Sequence, residues 1–417
     1  MTLLPRSDRA TYTPALQPDY AATVSRNPAE IRDGNVPAEL SLQDFNFLRS
    51  DSKLLFYPTV LYSAGHNPEA EPPAMVSGRD RDTTTLIGDS GGYQIKMGTL
   101  NWREDRTRRA ILNFLETYAD YSMTLDYPVN DTKASVPDQG HFNDCLSKTV
   151  TNLEFFGKHR KDQTKWINVI QGRNNKEIKT WIKRVEWFPS QGWAVGGRWT
   201  LDPANLLELL ITLRDTKLLE QREVFHQFGK GRIALACFYT DVQQAMRETG
   251  IDIAITYDTS SPFRMTGEFK TQFTAPIFTT KRCELQAGRV FDRRDYVGNS
   301  RRFPFDSAIG QRIALGDICV RDDVHQDTTW DELSHVMVKH HNLDAYRRAL
   351  DAAHLISDLA DLDAQNHLPV WLMMARQTAR EVFKVESPMT KIDFLRRNLK
   401  EIKFSSLTQE NGVKESV

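Results

Sequence analysis

Apolar and polar positions alternate along the chain in two rhythms. Short runs rich in β-branched and aromatic residues occur at TTTLIGD (83–89), YSMTLDY (121–127), WINVIQG (166–172), GWAVGG (192–197), RIALACF (232–238) and IDIAITYD (251–258). Most are nearly continuous in apolar residues, which suits strands buried on both faces. Between them lie longer stretches with helical spacing, at 103–120, 174–187, 203–215 and 241–249. The third follows Asp202, with Pro203 in its first turn. An aspartate there accepts a hydrogen bond from an otherwise unpaired N–H, and the proline has no N–H to leave unpaired. Strand–helix alternation predicts a parallel sheet covered by helices. Six such runs predict a (β/α)8 barrel rather than an open sheet. No GxGxxG follows a first strand, which argues against a dinucleotide-binding fold.

The flanks read differently. Residues 1–50 contain Pro5, Pro14, Pro18, Pro28 and Pro37 and few apolar clusters, and they predict an extended N-terminal arm. The barrel is expected over 51–350, with an irregular basic insertion at 265–312. Helical spacing returns at 330–361 and 367–403, so 351–417 is expected to hold C-terminal helices and, from 404, a polar frayed tail. There is no internal repeat or low-complexity tract.

Composition adds limits. With 40% hydrophobic and 26% charged residues the chain is globular in type, which excludes a largely disordered or fibrous protein. Lys and Arg total 54 against 55 Asp and Glu, so attraction to a polyanion must come from a local patch. One candidate is 281–302, where Lys281, Arg282, Arg289, Arg293, Arg294, Arg301 and Arg302 stand against Glu284, Asp292 and Asp295, with Phe291, Tyr296 and Phe303 nearby. Such a stretch either tracks phosphates or is simply a solvated face. The basic amphipathic segment 391–404 is a second candidate. Cys145, Cys237, Cys283 and Cys319 are widely spaced without a CxxC pair, so neither a disulfide framework nor a zinc finger is indicated. No apolar run reaches the roughly 20 residues a membrane span needs. The expectation is a soluble protein of a reducing compartment, hence cytoplasmic, with no membrane partner.

The ends of the predicted strands carry the chemistry: Asp89, Asp126, Gln171, Gly196 with Gly197, and Asp258. In a (β/α)8 barrel the C-terminal strand ends converge on one face. Any one of these residues alone reads most simply as a turn or helix cap. Five in succession point to a shared pocket.

At this point the residues resemble a family. GDSGGYQ (88–94) is similar to the DSGG[FY]Q signature of tRNA-guanine transglycosylases. The likeness continues in order through LDYP (125–128), NVIQG (168–172), GWAVGG (192–197), GID before a strand and Asp at 250–258, and HHNLDAYRRAL (340–350). It covers roughly 80–350. The departures are GGRWTLD (196–202), ITYDTSSPFR (255–264), and DICVRD where the tRNA enzymes carry a cysteine-rich zinc motif. They look more like the divergent DNA-guanine transglycosylase branch of phages and bacterial DNA-modification clusters, which exchanges guanine in DNA for a 7-deazaguanine such as the 7-cyano form.

The resemblance implies the following roles. Two displacements at C1′ need a carboxylate nucleophile and an acid/base partner, as in retaining glycosidases. Asp258 is the expected nucleophile and Asp89 the acid/base. Asp252, the other acid near that strand, lies at its N-terminal end and on the wrong barrel face. Thr259, Ser260 and Ser261 are expected to bond the nucleophile or a phosphate. Asp126 would accept from guanine N1–H and its amine, while Gln171 and the Gly197 N–H would donate to O6. Ser90, Gly91, Tyr93 and Gly196 complete the expected substrate-binding set, with Gly91 and Gly92 letting the backbone approach and Tyr93 stacking on the base. No cofactor is required. A structural zinc on Cys319, His341 and Asp317 or Asp322 would be the relic of the family site. With so few thiolates that site is expected to be degenerate or lost, and the metal assignment stays open. Expected partners are double-stranded DNA, with tRNA as the alternative, and a free 7-deazaguanine base, together with a helper protein or a second copy. The remaining alternative is a non-catalytic nucleic-acid-binding subunit.

Overall fold

The computed structural model describes residues 7–27, 30–31, 36–129, 138–229, 231–323, 325, 327–362 and 367–401. Eight short runs form one parallel sheet: β1 (Thr11–Pro14), β2 (Thr59–Ser63), β3 (Thr85–Asp89), β4 (Tyr121–Met123), β5 (Lys165–Ile170), β6 (Gly192–Val195), β7 (Val224–Gln227) and β8 (Ala254–Thr259). The order is β1-β8-β7-β6-β5-β4-β3-β2. The two ends meet, since Ala15 bridges Leu61 in parallel register and the Leu16 N–H donates to the Leu61 carbonyl at 2.9 Å. This is the (β/α)8 barrel that the alternation predicts. Side chains alternate across each strand. Leu61, Ile87, Tyr121, Met123, Ile167, Val169, Ala194 and Val224 fill the lumen as a cluster of their own, while most of the remaining core lies between sheet and helices.

The helices are α1 (Pro18–Val24), α2 (Ala74–Ser77), α3 (Gly92–Lys96), α4 (Glu104–Tyr118), α5 (Gln139–His159), α6 (Asn175–Val185), α7 (Pro203–Asp215), α8 (Ile233–Glu248), α9 (Ser261–Gly267), α10 (Leu315–Ile318), α11 (Glu332–Leu362), α12 (Val370–Val382) and α13 (Pro388–Glu401). Asp202 caps α7 as its sequence predicts, accepting from the Ala204 N–H at 2.9 Å. Among the described residues no helix is long and apolar enough to cross a membrane.

Several expectations need correction. Residues 11–14 are no arm laid over the barrel. They are its first strand, paired with β8. RIALACF is not a strand, because residues 233–248 form one helix. That helix is wedged between β8, α11 and α12, so nearly every face of its first turns is buried and the period is hidden. The true seventh strand, VFHQ, is four residues long and carries two polar side chains. The stretch 265–312 is not wholly irregular. It contains an antiparallel hairpin, β9 (Thr271–Phe278) and β10 (Cys283–Arg289), with a bulge between Leu285 and Ala287. The expected polar tail at 404–417 lies outside the described residues.

Two polar networks hold the additions to the barrel. The buried Arg376 bonds Asp241 of α8 at 2.6 Å and Asp361 of α11 at 3.0 Å, and Arg380 bonds the same two carboxylates, each at 2.6 Å at its nearest. On α11, Asn342 Oδ1 accepts from the Phe273 N–H at 2.8 Å and its Nδ2 donates to Thr266 at 3.1 Å, pinning the hairpin and α9.

Candidate functional site

The inward alternation fixes which residues reach the mouth of the barrel. Asp89 is the last residue of β3 and pairs in register with Ser63 of β2. Gln171 follows β5, Gly196 follows β6, and Asp258 stands one residue before the end of β8. Asp126 lies three residues beyond β4 and is 5% exposed. All of them therefore lie at the C-terminal ends of the strands.

Two of the carboxyls are held above their ordinary range. Burial pushes the Asp89 carboxyl above its ordinary range and the charge of Asp258 adds to this, against the Ser63 hydroxyl, the Gly91 N–H and His226, which act the other way. Asp126 is pushed up to about 7, first by burial and then by Asp89, against a hydrogen bond from Gln171. That bond runs from Gln171 Nε2 to Asp126 Oδ2 at 2.8 Å. One Gln171 N–H is thereby spent on Asp126, and a second stays available to a ligand.

The glycines of DSGGYQ are explained by contacts. Gly91 has φ +87°, and a Cβ there would lie 2.4 Å from the Gly65 Cα. Two loops of the mouth thus touch backbone to backbone. A Cβ on Gly92 would lie 2.8 Å from Asp126 Oδ1. Ser90 is buried and donates to the Thr124 carbonyl at 3.2 Å, so its hydroxyl braces the loop. Tyr93, on α3, is 62% exposed and available to a ligand. Gly197, with φ +85°, has open space where a side chain would be.

Asp258, 7% exposed, is not held by the hydroxyls that follow it. Thr259 and Ser261 bond each other at 2.9 Å at the start of α9. The support comes from β7 and the turn that follows it. The Gly229 N–H donates to Asp258 Oδ1 at 2.6 Å, and His226 Nε2 lies 3.3 Å from the same atom. His226 is fully buried, and its Nδ1 lies 2.8 Å from Thr256 Oγ1. Phe228 packs against the His226 ring with centroids 4.9 Å apart and reaches the mouth beside Gly196. His226, Gly229 and Phe228 are site residues that the sequence reading missed. Asp252 is an exposed partner of Arg247 at 3.3 Å, before β8 begins.

The zinc candidates do not come together. Cys319 Sγ donates to the Phe291 carbonyl at 2.8 Å. Both ring nitrogens of His341 are engaged, with Ser307 Oγ at 2.8 Å and the Phe273 carbonyl at 2.9 Å. Asp317 accepts from the Ala314 N–H at 2.7 Å. These residues do not fit a tetrahedral metal site, which needs free donors aimed at one point.

The arrangement offers a nearly buried carboxylate fixed by two neighbours, a second carboxyl disposed to hold a proton, and an amide–carboxylate pair on the same rim. Compared with known proteins, the chain matches no protein-family model and no curated sequence.

Proposed function

We propose that the protein is a guanine transglycosylase acting on nucleic acid, with DNA as the acceptor and a 7-deazaguanine as the incoming base. The observation that carries the reading is the placement of Asp89, Asp126, Gln171 and Asp258 together at the C-terminal strand ends of one (β/α)8 barrel. Asp258 would attack C1′ as the C1′–N9 bond breaks, forming an aspartyl–deoxyribose ester. Asp89, whose raised proton affinity suits an acid, would give its proton to the departing guanine. The incoming base would then surrender its N9 proton to Asp89 and displace Asp258, restoring both carboxyls. Asp126 and Gln171 would read the shared donor and acceptor edge of both bases. The target nucleotide must leave the stack first, because a duplex shields this edge.

The choice of DNA over tRNA rests on the motif departures at 196–202, 255–264 and 317–322. The test is labelled-guanine exchange into duplex DNA and into tRNA, beside nucleoside mass spectrometry of DNA from expressing cells. Exchange into DNA, lost in Asp258→Ala and Asp89→Ala, is expected. Exchange into tRNA alone would overturn the acceptor, and undiminished exchange in Asp258→Ala would overturn the nucleophile.

A further inference from the structure

We infer that His226 is a positioning residue that selects which oxygen of Asp258 reacts: it donates through Nε2–H to Oδ1, leaving Oδ2 as the attacking atom. The inference rests on the transglycosylase reading above for its chemistry, but its geometry stands on three contacts. The Gly229 N–H is 2.6 Å from Oδ1, His226 Nε2 is 3.3 Å from Oδ1, and Thr256 Oγ1 is 2.8 Å from Nδ1. An ionised carboxylate only accepts hydrogen bonds, so Nε2 must carry a hydrogen to face it. The Thr256 hydroxyl can turn its own hydrogen toward Nδ1 or accept one from it, so a hydrogen on Nε2 leaves neither ring nitrogen without a partner. His226 and Thr256 are both fully buried, so no solvent competes for these groups. No described residue donates to Oδ2.

The two donors act unequally on the two half-reactions. When Oδ2 bonds to C1′, Oδ1 becomes the ester carbonyl and loses negative charge. When the incoming base expels Asp258, that charge returns to Oδ1, where Gly229 and His226 wait. The His226 bond therefore assists departure of the carboxylate in the second displacement and restrains it slightly in the first. A histidine that only filled space would affect both steps alike.

The variants are His226→Phe, which keeps the ring without donors, and His226→Gln, which restores an N–H. Each is incubated with end-labelled duplex DNA and free guanine, and the denaturant-stable protein–DNA adduct is measured beside the exchange rate. With His226→Phe, exchange is expected to slow by about tenfold, the worth of one hydrogen bond to a charged group at this longer distance, while the adduct fraction rises. His226→Gln should recover most of both. Unchanged exchange and adduct in His226→Phe overturn the inference, as does joint loss of both without rescue by glutamine. Nitrogen-15 NMR of the imidazole needs no substrate: a protonated Nε2 is expected, and a bare Nε2 with Nδ1–H overturns the hydrogen bond. A wild-type protein that neither exchanges base nor forms an adduct would defeat the transglycosylase reading, with NMR still deciding the geometry.

Discussion

Replacing Asp126 by asparagine removes a charge that burial makes expensive. The carboxyl is pushed from 3.8 to about 7, chiefly by loss of water. Ionising it therefore costs the folded state about 4 kcal/mol more than the unfolded chain. The sign follows from proton counts. Below about pH 4 both states hold the proton and Asp126 takes nothing from stability. Between about pH 4 and pH 7 the unfolded chain has released it while the fold keeps it, so stability falls with rising pH, and the loss levels off above about pH 7. An asparagine side chain has no such dependence, and its amide can still pair with Gln171. The stability gap between Asp126→Asn and wild type should widen by about 2–3 kcal/mol from pH 5 to pH 8, in favour of the variant. Urea unfolding of both proteins at pH 5, 6, 7 and 8 measures the gap, and titrations elsewhere largely cancel in the difference. A gap that stays constant across this range would refute the reasoning. Under the proposed function the stabilised variant should also lose guanine exchange by about a hundredfold or more, because an amide N–H then faces the donor edge of the base.

Other predictions test the scaffold. Gly91→Ala forces a side chain onto φ +87° and against the Gly65 Cα. It should cost at least about 1–2 kcal/mol and a clear drop in melting temperature by calorimetry. Asp241→Ala leaves the buried Arg376 with the partly exposed Asp361 as its one remaining described carboxylate, and should lower the urea-derived stability by about 3–5 kcal/mol. Asp361→Ala should cost distinctly less, since Asp361 is about one-third exposed and Asp241 still pairs both arginines.

The barrel was legible because runs such as INVI and IAITY are buried on both faces and so lack the alternation of a half-exposed sheet. The strand-end carboxylates were legible for the same reason, as polar residues closing apolar runs. What escaped was short or disguised. β1 is only TYTP, and its place in the barrel depends on pairing with residues about 245 positions away, which local patterning does not encode. RIALACF is apolar almost throughout because its helix is buried on every side, so the helical period does not show in its sequence. That mistake hid VFHQFG, and with it His226 and Gly229. The local signal existed: an apolar run interrupted by His and Gln and closed by glycine. The hydroxyls of TSS after Asp258 are the more visible polar signal, yet Thr259 and Ser261 bond each other.

The pairing of β1 with β8 sets Thr13 beside Asp258, and the Ala15 N–H donates to the Thr259 carbonyl at 3.1 Å. During synthesis the earliest strand must wait, without its main partner, until the ribosome has delivered the eighth. The strand that carries Asp258 is thus flanked on both sides only when almost the entire cylinder exists, so partially made chains cannot complete the mouth of the barrel. Cutting or rigidly tethering Thr11–Pro14 would therefore act on the setting of Asp258 from about 245 residues away in sequence.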